Sequence, residues 1–296
     1  MEELFQYLRD LVAQHGPKKD DYAALNSWIN TIIEQKRQGR ITEKELTVLR
    51  DIWGEAFSAD TCQGFSFHKP HGYPGDFEII DRIYTRYLCP DPHLKKWDRF
   101  YQDHDAARAV RNRSRYLKTV LLRHLRRKKE VRVLNVASGP GRDMYHFFAN
   151  EMTNGGRRVR FDCLEQDIKA ITYAKKVCRP YLSHIAFIKQ NVLRYTPDKR
   201  YDVIWASGIF DYFNDRIFVR ILGKLLGALK PDGECVIGNF SVENPSKNYM
   251  EIFEWCLHYR TAADLKRLAL KCGVPEKRIT VRTEKTGVNL FMHIKP

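Results

Sequence analysis

The chain has 296 residues, 43% of them hydrophobic, and a formal charge of +15, enough for one large α/β domain and a smaller helical one and unlike a disordered or fibrous chain. No uninterrupted apolar run is long enough to cross a bilayer, and the acidic amphipathic start MEELFQYLRDLV lacks the charged and apolar regions of a secretion signal, so a cytoplasmic protein is expected. The seven cysteines are scattered without a CxxC pair, which indicates neither a disulfide framework nor a zinc site, and no metal is expected.

Residues 2–15, 20–38 and 42–57 space their apolar side chains as amphipathic helices do. Leu4, Tyr7, Leu8, Leu11 and Val12 form one stripe, and Leu25, Trp28, Ile29, Ile32 and Ile33 another. Thr42 followed three residues later by Glu45 predicts a capping box for the third helix. Residues 1–104 therefore read as an N-terminal helical domain, a lid or substrate domain.

From residue 65 to 89 the texture changes to aromatics, histidine, glycine and proline, an ordered loop leading into a helix from about Phe77. His68, His71, Tyr73 and Asp76 form a polar cluster on a segment stiffened by Pro70 and Pro74. A lid or pocket wall accounts for them, with His71, Tyr73 and Asp76 positioning an acceptor and His68 touching it. An ordered staple whose aromatics only pack is the other account.

The pattern predicts a helix over 105–127 with Ala106, Val110, Leu117, Val120 and Leu121 on one face. Arg113 falls on that face and needs an anionic partner, either a ligand carboxylate or a structural ion pair with Asp76 or Glu78. Between residues 108 and 132 there are eleven Lys or Arg against one acid, Glu130. That excess either attracts something acidic, such as nucleic acid, an anionic surface, a protein or a metabolite, or is a solvated helix face.

The stretch VRVLNVASGPGRD, 131–143, reads as a buried strand entering a tight turn, where Ala137, Ser138, Gly139, Pro140 and Gly141 let the backbone approach a ligand closely. Strand patterns follow at 158–164, 186–189, 201–206 and 234–240, with helices including 168–177 and 217–229 between them, as in a doubly wound parallel sheet. Ligands in such sheets sit beyond the carboxyl ends of the strands. There the second strand offers Glu165, able to accept from both hydroxyls of a ribose, and Asp167 as a helix N-cap. The third offers Asn191, able to read a base edge, and the fourth opens through Ser207 and Gly208 beside Phe210, Tyr212 and Phe213. Jointly these describe a nucleoside-shaped pocket.

The ordered series VLNVASGPGRD, LEQD, KQNV, YDVIWASGIFDYF and LGALKPDGECVIGNF resembles the motif set of class I S-adenosylmethionine-dependent methyltransferases, and RITVRTEKTGVNLFMHIKP resembles their closing antiparallel hairpin. The resemblance implies a Rossmann-like α/β fold, a mostly parallel sheet with a C-terminal antiparallel hairpin, over 105–296. It also implies binding of S-adenosyl-L-methionine by Arg113, Ala137, Ser138, Gly139, Pro140, Gly141, Glu165, Gln166, Asn191, Val192, Ser207 and Gly208. Asn135, Ser138 and Asn191 depart from the residues commonest in the family at those places.

HKPHGYPGDFE and ENPSKNYMEIFEWCLHYRTAADL are similar to segments of bacterial methyltransferases linked to methyl esters of 3-hydroxy fatty acids. That likeness implies an acceptor side lined by Tyr73, Asp76, Tyr259 and Arg260, with Tyr212 nearby. The expected activity is O-methylation of an anionic small molecule, a fatty-acyl-type or other carboxylic acid, free or on an acidic acyl carrier. A carboxylate needs no base at neutral pH, whereas a hydroxyl acceptor needs one such as His68 or His71. The rival readings are an RNA or phenolic natural-product methyltransferase, and a non-catalytic cofactor-binding protein.

Overall fold

The computed structural model describes residues 2–151 and 158–295. They divide into two compact units: the chain up to Arg108 together with Pro245–Cys256, and Ala109–Asn244 with the chain from Leu257 onward. A single boundary after residue 104 was expected. It fails because the segment around Tyr249 returns to the first unit, where Tyr249 Oη donates to Gln63 Oε1 at 2.6 Å and its ring packs edge-on against Phe100 and Phe253.

The first unit holds α1 (Glu2–Ala13), α2 (Tyr22–Arg37), α3 (Glu43–Trp53), α4 (Cys62–His68), α5 (Phe77–Thr85), α6 (Lys95–Asp103) and α11 (Lys247–Ile252). The expected stripes are its core: Leu8, Leu25, Ile29, Ile32 and Ile33 are buried. Trp53 sits between Trp28 and Trp97 edge to face, with centroids at 5.8 and 6.2 Å. Thr42 and Glu45 form the capping box.

The third helix stops at Trp53, short of the expected residue 57, because Gly54 adopts φ +53° and a 3-10 turn, Gly54–Phe57, follows. Residues 65–68, expected as loop, are the last turn of α4, which Thr61 caps through the N–H of Gly64 at 3.1 Å and Lys69 ends at φ +47°. Helices α6 and α11 have no counterpart in the sequence reading. The α6 stretch KKWDRFYQD interleaves Trp97, Phe100 and Tyr101 with charges, and it even buries the carboxylate of Asp98, which accepts from the N–H groups of Cys62 and Cys89.

In the second unit α7 (Asp105–Leu125) leads into seven strands that, among the described residues, form one sheet in the order β3-β2-β1-β4-β5-β7-β6. They are β1 (Glu130–Val136), β2 (Arg158–Glu165), β3 (Ile185–Lys189), β4 (Tyr201–Ala206), β5 (Leu229–Phe240), β6 (Ile279–Thr283) and β7 (Asn289–Ile294). The first five run parallel, and β7 is antiparallel to both β5 and β6. The connecting helices are α8 (Arg142–Glu151), α9 (Ile168–Val177), α10 (Asp215–Leu226) and α12 (Ala262–Lys271). This is the Rossmann-like α/β architecture expected, closed by its antiparallel hairpin.

The two-residue period of the strands divides the core. Val133, Val203 and Phe291 face Leu117, Leu121 and Phe148, while Leu134, Ile204 and Met292 face Phe218, Leu222 and Leu265. Central strands buried on both sides read as continuous apolar runs, which is why β1 and β4 were legible. No helix among the described residues is long and apolar enough to cross a membrane.

The basic stretch 108–132 is largely neutralised within the chain. Lys118 pairs with Glu151, Arg123 with Glu234, Lys128 with Asp202 at 2.5 Å and Asp232 at 2.6 Å, and Arg132 with Asp162 at 3.0 Å. Glu234 is the most enclosed of these acids: it takes Arg123, His124 Nε2 at 3.2 Å and His293 Nδ1 at 2.9 Å, with Tyr116 Oη 2.7 Å from the far nitrogen of His293. Burial alone would raise its pKa, but the two histidine bonds and the Arg123 charge outweigh it and hold the carboxyl well below the usual range. Because the folded pKa is depressed, the stabilisation is complete above the ordinary value of 4.5 and fades as the pH falls below it. Glu234→Ala is expected to cost about 3–5 kcal/mol in denaturant melts at pH 7, with a smaller gap between variant and parent below pH 4.

Candidate active site

The carboxyl ends of β1, β2 and β4 carry the cluster expected from the sequence. After β1 the chain turns at Ala137, whose φ of +53° is unusual for a residue with a Cβ, and Gly139 and Gly141 follow at +53° and +74°. A Cβ built on Gly139 would meet nothing within 4 Å, so this glycine borders open space. Gly141 differs from the expectation that it faces a ligand. Its Cβ would press on Cys178 Sγ at 3.1 Å, Met144 Cε at 3.2 Å and Ala174 Cβ at 3.3 Å, so it is small to let α8 and α9 close on the strand end.

Glu165, at the end of β2, holds this corner. One oxygen accepts from Gly139 N at 3.0 Å, and the other from Gln166 N at 2.8 Å and Asp167 N at 3.1 Å. Burial pushes the pKa up against these bonds. Three N–H groups leave the carboxylate room for about one further donor, not for a free choice of two hydroxyls. Asp167 caps α9 as expected, through Lys169 N at 2.8 Å.

Asn191 is less open than a base reader would be. Its Nδ2 donates to Gln166 Oε1 at 2.7 Å and its Oδ1 accepts from Leu193 N at 2.7 Å, so the amide ties two loops together; Val192 follows it, half-buried. Between these loops Ile168 is 52% exposed, an apolar face that the sequence reading did not single out.

At the end of β4, Gly208 has no room for a side chain because a Cβ would lie 2.6 Å from Arg113 Nη1. Arg113 is only 7% exposed. Its Nε donates to Asn289 Oδ1 at 3.0 Å, and its Nη2 lies 4.0 Å from Asp211 Oδ2, close enough for charge but too far for a hydrogen bond. Neither Asp76 nor Glu78 is its partner, contrary to one expectation. Those two belong to the first unit, where Asp76 caps α5 through Glu78 N and Ile79 N at 2.9 and 3.0 Å, and Glu78 meets His71 and Arg82.

Asp211 lies on the 3-10 turn Phe210–Tyr212, accepts from Phe240 N at 2.6 Å and has its pKa pushed up to about 6 by burial, against the pull of Arg113 and Arg260. Asp143 is likewise pushed up to about 6 by burial, opposed by bonds from Met144 N and Trp205 Nε1 and by the Arg113 charge. Arg113 thus serves two buried carboxylates and still has N–H groups to offer. Asp211 and Asn289 went unnoticed in the sequence, although a lone acid inside the aromatic run GIFDYF was the clue to the first.

Arg260 does not present its guanidinium to an acceptor. It is 4% exposed and donates to the carbonyls of Phe210 and Phe213, to Asn239 Oδ1 and to Asp215, bracing the turn that carries Asp211 and Tyr212. Tyr212 and Tyr259 are half-buried in the same unit, and each is already engaged within the chain. Of the acceptor candidates in the first unit, His68 is exposed with Nε2 3.0 Å from the carbonyl of Phe57, and Tyr73 is half-buried and engaged.

Two buried polar groups beside the corner are under-satisfied. Asn135 Nδ2 has no hydrogen-bond partner among the described residues, and Ser138 Oγ has at most a weak interaction with the Cys163 thiol. With the open face of Gly139, the remaining capacity of Glu165, the apolar face of Ile168 and the arginine fork, the donor set suits a nucleoside bearing an amino-acid group. Gly141→Val is expected to destabilise by about 1–3 kcal/mol through overpacking, whereas Gly139→Ala should change thermal stability less, as read by denaturant melts of both.

The profile of the Methyltransferase domain family matches residues 127–284, more than half of the chain. Comparison with curated proteins returns no significant match. Among solved structures, a possible exported protein from Bordetella parapertussis is 17% identical, with 75% of this chain and 79% of that one covered at a TM-score of 0.60. The CMeT domain of the citrinin polyketide synthase is 13% identical, with 82% and 62% covered at 0.53. Mitomycin 7-O-methyltransferase MmcR is 13% identical, with 84% and 72% covered at 0.50. Likeness at such identities speaks for the fold, and the profile match for the family. The chain belongs to the Methyltransferase domain family and is an S-adenosylmethionine-dependent methyltransferase.

Proposed function

We propose that the enzyme methylates oxygen on an anionic small molecule, a carboxylic acid of fatty-acyl type. One observation carries this reading. Most of the two segments that resemble ester-forming methyltransferases, HKPHGYPGDFE and ENPSKNYMEIFEWC, are far apart in sequence yet belong to one compact unit. That unit has an interior rich in aromatics, including Phe65, Phe77, Trp97, Phe100 and Phe253, which suits recognition of an acyl chain. His71, Tyr73 and Asp76 are proposed as its acceptor-side polar groups. The charge of +15 favours an anionic acceptor or an acidic acyl carrier, while pairing within 108–132 weakens the case for RNA. Seven free cysteines, five of them buried, agree with a reducing cytoplasm.

When bound, S-adenosylmethionine supplies an electrophilic methyl carbon on a cationic sulfur. In this chain Glu165 would hold the ribose, Ile168 and Val192 would flank the base, and Arg113 would pair with the amino-acid carboxylate, with the backbone at Ser138 and Gly139 beside it. Charge is neutralised in the displacement, so the protein's work is to orient the reactants and exclude water, and a carboxylate acceptor asks for no proton acceptor.

Glu165→Ala is expected to weaken cofactor affinity by about 1.5–3 kcal/mol, roughly ten- to hundredfold, since it loses both a ligand bond and the clamp on the corner. Arg113→Lys should also weaken it, because an ammonium cannot reproduce the two-pronged contact. Unchanged calorimetric affinity for the cofactor in both variants would count against the assignment. For the acceptor, labelled cofactor is offered with long-chain acids, an acyl carrier, transfer RNA and phenols. Base-labile label in the lipid extract is expected, and label only in RNA or phenols sinks the carboxylic-acid reading.

A further inference from the structure

His71 lies in the loop between α4 and α5, and its two ring nitrogens are treated differently. Nε2 is 3.0 Å from Glu78 Oε2, whereas Nδ1 is buried and has no hydrogen-bond partner among the described residues. Glu78 is itself fixed, its other oxygen accepting from Arg82 Nη2 at 3.1 Å. Arg82 is anchored by a bond to the carbonyl of Ala59 at 3.0 Å and by the faces of Phe65 and Tyr87, 4.0 and 4.7 Å from its guanidinium carbon.

The loop leaves the histidine little freedom. Lys69, Gly72 and Gly75 all take positive φ, Gly72 N closes a turn on Lys69 O at 2.7 Å, and the imidazole packs on Phe77 with centroids 4.3 Å apart. Asp76, the other acid near the ring, is committed to capping α5. A carboxylate paired with Arg82 accepts and does not donate, so Nε2 carries the proton. A neutral imidazole then holds its lone pair on Nδ1.

A buried lone pair without a donor is costly, and a ligand that brings a donor relieves it; a carboxylate or an alkyl chain cannot. We propose that Nδ1 of His71 accepts a hydrogen bond from a hydroxyl group of the methyl acceptor, with Glu78 and Arg82 as positioning residues that set the tautomer. This rests on the small-molecule acceptor reading above and adds to it that the acceptor carries a hydroxyl.

The test has a part independent of turnover. Nitrogen-15 NMR of the histidine rings at neutral pH, with the His71 signals identified by their loss in His71→Gln, is expected to show Nε2 protonated and Nδ1 bare. Glu78→Leu should shift that tautomer balance, and Glu78→Gln should largely restore it. Calorimetry with the demethylated cofactor present then compares 2- and 3-hydroxydecanoate with decanoate, and salicylate with benzoate. A hydroxylated member is expected to bind about tenfold more tightly than its parent, and His71→Phe, which keeps the ring packing, should erase the difference. The proposal is overturned by a protonated Nδ1, by a preference that survives in His71→Phe, or by no preference in any pair. Failure of the carboxylic-acid reading would show separately, as no base-labile methyl label on any of these acids while the ring and binding results stand.

Discussion

The carboxylate of Glu165 is the constraint on which the second unit's site depends. It joins the end of β2 to the turn after β1 through Gly139 N, and to the start of α9 through Gln166 N and Asp167 N. Three donors from two separate loops must converge on one side chain, which is possible only because β1 and β2 are paired in register up to Val136 and Leu164. Strand pairing thus sets the loop geometry, and the loop geometry sets what can bind. Oriented backbone donors around a buried acid are a rigid frame, and a ligand meeting it need not order it first.

The opposite wall is built by a cation. Arg113 lies against Gly208, bonds Asn289 on the closing hairpin and balances Asp211 and Asp143, so one guanidinium touches the helix before the sheet, the fourth strand end and the antiparallel pair. Burying an arginine with so few hydrogen bonds is unfavourable in isolation. The two acids with raised pKa offset it in charge, and the unused N–H groups are what make it a candidate ligand group rather than a staple. Arg260 is the contrast: equally buried, its donors are spent on carbonyls and acids of its own unit.

The first unit repeats this economy with weaker groups. Asp98 ties two segments through backbone N–H bonds, Asp76 caps a helix, and Arg82 fixes Glu78, which fixes His71. Along each chain of contacts most polar groups are satisfied, so the exception at His71 Nδ1 carries information.

Local chemistry decided much of this in advance. The apolar runs of β1 and β4, the stripes of α1 and α2, the Thr42 capping box and the glycine corner are set by neighbours within a few residues, and period and composition expose them. The strand-end positions Glu165, Asn191 and Gly208 follow from the same alternation. What each residue does there depends on atoms distant in sequence. Only the packed chain shows that Gly141 yields to Cys178 and Ala174 rather than to a ligand, that Arg113 finds Asp211 and Asn289 instead of Asp76 or Glu78, and that Arg260 is consumed internally. Likewise Pro245–Cys256 joins the first unit because Tyr249 and Phe253 pack there, and no periodicity in a six-residue helix announces that. Spacing along a chain fixes which face a side chain takes, but the partner that satisfies a buried charge is chosen by three-dimensional proximity, which sequence distance does not encode.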